Sequence, residues 1–265
     1  MTSIRKSCLK RNAQVIDMTY KAEAPDKKSD SLGFRPKRFW QATGLTEVEG
    51  GTAVALDGRP VKTPKGNVMV LPNTALAQLV ETEWAAVGEY VDYEAMPLTR
   101  LGFASVDRMG EVLDDTLAEV TRYSETDLLC YPSEYPAALQ ARENAVWQPV
   151  LAWADAVLDL QFQQNQSIIH QPQPKETIRR IQSLIANATA YEQAGIMLAI
   201  PLLGSVILAL ALWRGHLTGD AAFDASRIGE DFQSETWGDD AEAAKRAAGM
   251  KVQTQSLHIW FRALV

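Results

Sequence analysis

At 265 residues, with 46% hydrophobic and 22% charged side chains, the chain has the composition of a soluble globular protein with a real core. Its formal net charge of −7 argues against a general nucleic-acid binder, which needs a basic face. Two cysteines, Cys8 and Cys130, exclude a disulfide framework and point to a reducing compartment.

The chain begins basic. Met1–Arg38 holds ten Lys/Arg against four Asp/Glu, and residues 1–16 contain no acid. No apolar run there is long enough for a secretory signal. Residues 1–32 therefore read either as a disordered tail of the bacterial kind or as a mitochondrial targeting segment.

From Arg38 to Leu71 the sequence is RFWQATGLTEVEGGTAVALDGRPVKTPKGNVMVL. Thr52, Val54 and Leu56 alternate with Ala53 and Ala55, and Asp57-Gly58 supplies the positive φ values of a tight hairpin. Thr52–Leu56 and Arg59–Thr63 are thus predicted to pair antiparallel, between turns at Gly50-Gly51 and Pro64-Lys65-Gly66-Asn67. Asn73 is a plausible N-cap for a helix over Thr74–Glu89, with Leu76, Leu79, Val80, Trp84 and Val87 on one face. Val106, Met109, Leu113, Leu117 and Val120 recur at steps of three and four, which predicts one helix stopping near Tyr123.

Beyond this the chain reads as helices with short connections. Val146, Val150, Trp153 and Val157 predict an inner face, with Pro149 opening or kinking that helix. Ile168-Ile169 sits in a possible strand, and Pro174 opens a helix whose inner face is Ile178, Ile181 and Ile185. Gln193–Trp213 is uncharged and long enough to span a bilayer. Pro201, Gly195, Gly204, Ser205 and sparse flanking charge favour a buried core helix instead, broken at Pro201 to leave Leu202–Trp213. Asp220–Gln233 is an acidic helix and Glu242 opens the last one. The fold class is α+β: a small β-rich N-terminal part over residues 33–130, then a mostly helical part over residues 131–265. Tyr131-Pro132 and Tyr135-Pro136 mark the boundary, because residues before proline avoid the helical region.

Recognisable chemistry is absent from the pattern. Neither phosphate-binding glycine motif occurs, and no serine stands in a nucleophile elbow. His170, His216 and His258 are isolated, so no metal site is predicted. Cys130 reads as a buried structural thiol. Glu81 and Glu83, two apart on a helix, point to different faces and form no acid–base pair. The N-x-S/T triplets at Asn165 and Asn187 are chance matches. No catalytic residue and no cofactor is predicted.

Several stretches in order resemble the assembly-chaperone family that handles the α subunit of the F1 sector of ATP synthase. They are the Arg38–Leu71 block, Ala75–Trp84, Met96-Pro97-Leu98-Thr99-Arg100 as an extended segment, and Asp127-Leu128-Leu129-Cys130-Tyr131 as a turn. Leu203-Gly204-Ser205, Phe232-Gln233 and Trp237-Gly238 complete the set, so the resemblance runs from about Lys37 to the end. It implies a soluble, non-catalytic and monomeric chaperone without stable membrane insertion, whose partner is the unassembled F1 α subunit. The short basic tail favours a bacterial cytoplasm, with a mitochondrial matrix as the alternative. From outside this family, the competing class is a small-molecule enzyme with a site between the β-rich and helical parts.

Gly219–Gly249 carries eight acids against three bases, with Phe223, Phe232 and Trp237 among them. Aromatic anchors in a charged surround concentrate binding energy at protein interfaces, although such aromatics also serve simply as core. The resemblance implies an important acid at the start of the helix preceding the Gln and Trp-Gly positions. Asp220 falls nearest to that place, though it is Asp where the family has Glu, and Glu230 and Asp231 follow. Partner contact is accordingly expected at Asp220, Phe223, Glu230, Asp231 and Trp237. Trp84 and Phe232 are expected to be structural.

Overall fold

Thr43–Val48 (β1) and Gly51–Leu56 (β2) form an antiparallel ladder from Thr43↔Leu56 to Val48↔Gly51 in the computed structural model of the protein. The structure describes residues 35–165, 170–238 and 240–265. Asp57 and Gly58 turn the chain with φ of 47° and 78°, both in the left-handed region that a two-residue hairpin of this hand requires. The predicted hairpin follows, but its second strand, Arg59–Pro60 (β3), is shorter than Arg59–Thr63. Val61 still donates to the Val54 carbonyl at 2.8 Å before the turn at Pro64–Asn67 takes over. Val70–Leu71 (β4) returns to pair with Thr52 and Ala53 of β2. That return explains Gly51, where a Cβ would lie 2.1 Å from the Leu71 carbonyl oxygen.

The described chain divides into two units. One ends at Glu111 and takes in Ala263–Val265; the other runs from Val112 to Arg262. The proline markers at Tyr131 and Tyr135 lie inside the second. The tail over residues 1–32 and the Ile168-Ile169 strand fall outside the described residues.

In the first unit, Asn73 caps Thr74–Ala85 (α1), accepting from the Leu76 amide at 2.8 Å as predicted. The helix stops four residues before Glu89. Arg38 explains this, because its amide bonds the Glu89 carbonyl and its Nη1 bonds the Val87 carbonyl at 2.6 Å, committing that segment to strand-like pairing. Leu76, Ala77, Val80 and Trp84 are the buried face of α1, while Leu79 is exposed. The segment Met96–Arg100 is not extended. Pro97 opens a helix, Pro97–Asp107 (α2), at a position where its missing amide costs nothing. The Glu83 carboxylate caps it by accepting from the Leu98 and Thr99 amides, each at 2.8 Å.

The single helix predicted through Val106–Val120 is two. A break follows Asp107, whose carboxylate is held by Thr63 Oγ1 (2.7 Å), Asn67 Nδ2 (3.0 Å) and the Lys65 amide (3.1 Å). Those bonds anchor the end of α2 to the turn over Pro64–Asn67, and Leu113–Glu125 (α3) starts afresh in the second unit.

Within that unit Ala137–Leu158 (α4) contains Pro149. Its buried face is Leu139, Glu143, Trp147, Val150, Ala154 and Leu158. Val146 and Val157, predicted inward, are 41% and 62% exposed. Three bonds turn the helix this way: Trp147 Nε1 donates to the Ala225 carbonyl, and Glu143 accepts from the Ser133 amide and hydroxyl. Lys175–Ala186 (α5) buries Ile178, Ile181 and Ile185 as predicted.

The long apolar run is two helices, Ala190–Leu203 (α6) and Val206–Trp213 (α7). The break falls at Gly204 (φ 66°), not at Pro201, which sits in the last turn of α6 and removes only one hydrogen bond there. Every residue of α7 is buried, as a core helix requires. Among the described residues no helix is long and apolar enough to cross a membrane. Gly219–Trp237 (α8) and Ala241–Ala263 (α9) close the chain.

Candidate functional site

The Thr218 hydroxyl starts α8 by accepting from the Ala221 amide at 3.2 Å. Asp220 is exposed in the first turn, where a carboxylate complements the helix dipole. Its Oδ1 accepts from Gln255 Nε2 at 2.9 Å and lies 3.5 Å from Lys251 Nζ, tying the start of α8 to α9. Gly219 permits that approach, since a Cβ there would lie 2.9 Å from the Gln255 Cα. Phe223 is buried, with the Arg227 and Lys251 cations 5.8 Å and 5.7 Å from its ring centroid. It supports the surface from beneath.

Residues seven apart on an α-helix fall within about 20° of one another, so Phe223, Glu230 and Trp237 share one stripe. Asp220 and Asp231, eleven apart, share a neighbouring stripe. Glu230 is half-exposed, and Asp231 is exposed and paired with Arg227 at 3.3 Å. Trp237, the last residue of α8, is 78% exposed. Phe232 is half-buried under the Arg142 guanidinium, 5.2 Å from the ring centroid. Arg142 Nη1 also bonds Glu235 Oε2 at 2.6 Å.

The pairings Arg142–Glu235 and Trp147–Ala225 set α4 and α8 antiparallel. Tyr135, just before α4 and 83% exposed, therefore lies at the same end as Trp237. Sequence reasoning missed both Tyr135 and Arg142. The first carried a signal only as a residue before proline. The second carried none, because its partners lie ninety or more positions away.

Elsewhere, polar groups with perturbed environments are spent on structure. Burial raises the Glu83 carboxyl above its ordinary range, against the backbone bonds that lower it. Asp127 is wholly buried and accepts from the Leu129 amide (3.0 Å), Ser205 Oγ (2.8 Å) and the Ile207 amide (3.1 Å). Burial pushes its carboxyl up to about 6. The Cys130 thiol is buried and pushed upward in pKa by the same cause. His170 Nδ1 meets the Tyr131 hydroxyl at 2.9 Å, and His216 stacks on Trp153 at 4.6 Å. Trp84 is buried edge-on to Trp40, with ring centroids 5.4 Å apart. No three His, Cys, Asp or Glu side chains among the described residues converge as a metal site. An open depression of about 210 Å³ is lined by Ser183, Asn187, Glu192, Trp213 and Arg214. That is smaller than ordinary ligand pockets of roughly 300 Å³ and more. The α8 surface, by contrast, offers exposed aromatic and acidic side chains suited to another protein.

Comparison with known proteins gives a consistent picture. The family described as ATP12 chaperone protein matches residues 37–155. Atp12 from Paracoccus denitrificans superposes with a TM-score of 0.81 at 33% identity, covering 86% of this chain and 98% of that one. The Atu1473 protein from Agrobacterium tumefaciens superposes with a TM-score of 0.82 at 35% identity, covering 87% of each chain. The mitochondrial protein atp12 of Schizosaccharomyces pombe is 24% identical over 214 residues, 76% of this chain and 74% of that protein.

Proposed function

The chain belongs to the ATP12 chaperone family, and from that premise we propose that it holds the unassembled α subunit of the F1 sector of ATP synthase. In this reading it shields the surface that α later buries against β, and its output is reversible contact without bond-making. A lone α subunit would expose large apolar patches, which drive aggregation. The holding complex must therefore be firm, yet weaker than the final assembly; specificity here is a difference of affinities. The protein works as a monomer, in a bacterial cytoplasm or a mitochondrial matrix.

The observation that carries this reading is the match to a solved Atp12 over nearly its whole length. For the contact surface, support comes from α8, where Asp220, Glu230, Asp231 and Trp237 are solvent-accessible and Phe223 is buried beneath Arg227 and Lys251 near the start of the helix. The acids steer encounter and fix register more than they add affinity, while Trp237 supplies the apolar anchor. Co-expression with separate F1 α and β subunits, followed by pull-down, should recover α without β. Equal recovery of both, or of neither, would refute the proposal. In stopped-flow, Asp220→Lys and Glu230→Lys should each slow association and flatten its salt dependence. Glu230 makes no ion pair among the described residues, so its reversal tests the surface without loosening α9.

A further inference from the structure

The second half of α8 is held differently from the first. Gly219, Ala222, Phe223 and Ala225 are buried, but no residue after Ala225 is. The last buried tether is the bond from Trp147 Nε1 to the Ala225 carbonyl, at 2.9 Å. Beyond it, three more turns run out to the exposed Trp237. Among the described residues, one side chain outside α8 makes an ion pair or cation–π contact with those turns. Arg142 of α4 does both, reaching Glu235 at 2.6 Å and covering the Phe232 ring at 5.2 Å. Glu235 and Phe232 are three apart, on adjacent turns of one face, so a single planar guanidinium bridges them. The other polar side-chain contacts of this stretch among the described residues stay within α8: Ser226 Oγ to the Phe223 carbonyl, Arg227–Asp231, and Thr236 Oγ1 to the Phe232 carbonyl.

We propose that Arg142 is the positioning residue that keeps the last turns of α8 helical against α4 and so presents Trp237 to the client. The inference rests on α8 being the contact surface. A helix end with no buried side chain frays readily, and an aromatic anchor on a fraying end must be ordered again at each encounter. Arg142 removes part of that ordering cost beforehand. Lysine is a poor replacement, because one ammonium point charge cannot reach Glu235 and cover the Phe232 ring at once as the broader guanidinium does.

Hydrogen exchange on the full chain tests this directly. Arg142→Ala should speed amide exchange over residues 228–237 roughly fivefold, the scale of one exposed ion pair plus one cation–π contact. Exchange over residues 219–225 and the melting temperature should stay near those of the parent. Arg142→Lys should behave like Arg142→Ala, and the double swap Arg142→Glu with Glu235→Arg should restore part of the protection. Unchanged exchange over 228–237 in Arg142→Ala would overturn the positioning role. Capture of α by the same variant is measured in parallel. Loss of protection with weakened capture supports the full proposal. Loss of protection with undiminished capture would leave the clamp standing and remove α8 from the contact surface.

Discussion

Asp127 joins the three-residue helical turn Leu128–Cys130 to the start of α7, and it does so fully buried. Desolvation disfavours its charge more than the donors of Leu129, Ser205 and Ile207 favour it, which lifts the carboxyl from 3.8 to about 6. The folded state therefore holds this proton more tightly than the unfolded state. Its contribution to stability is complete below the unfolded value and is lost as pH rises through the folded one. At 1.36 kcal/mol per pH unit the whole shift is worth about 3 kcal/mol, of which about 2 kcal/mol is lost between pH 4 and 6. Asp127→Asn keeps the shape without the titration. Urea midpoints of parent and variant should diverge across that window, with the parent falling relative to the variant as pH rises. A difference independent of pH would show that Asp127 does not titrate there.

The final helix shows how elements are fitted together. The buried residues of α9, Thr254, Leu257, Trp260 and Phe261, all lie in its second half. They approach two glycines: a Cβ on Gly195 of α6 would lie 2.6 Å from the Phe261 ring, and one on Gly219 of α8 would lie 2.9 Å from the Gln255 Cα. Gly249, in the exposed first half, meets nothing within 4 Å. Gly219→Ala should accordingly destabilise by about 1–3 kcal/mol through overpacking. Gly249→Ala should stabilise by about 0.5–1 kcal/mol through helix propensity. Calorimetry showing the same sign for both would contradict this packing scheme. Elements of this kind were legible where the signal is local. Asp57-Gly58, Asn73 and the Ile178–Ile185 spacing each announce their own structure. Signals that depend on distant partners were not legible. Glu83 caps a helix fourteen positions on, Arg38 ends α1 from before the sheet, and Trp147 rotates α4 by bonding α8. The candidate site divides along the same line. Its acids and aromatics stand out in the sequence, whereas the burial of Phe223 and the clamp of Arg142 depend on which helices meet.

At the scale of the molecule, the raised carboxyls of Glu83 and Asp127 and the only described cysteine are taken up by internal packing and bonds, while acids and an aromatic anchor stand outside. On the outside, α8 offers an aromatic anchor and charge together, the combination that concentrates binding energy at a protein interface. In the proposed role this surface shields one orphan subunit and then yields it. Light scattering of isolated F1 α subunit, with and without equimolar protein, tests that role most directly. Scattering should stay low until β is added, whereupon α leaves the complex for the α–β assembly. Aggregation of α at the same rate with the protein present, or a complex that β cannot displace, would contradict it.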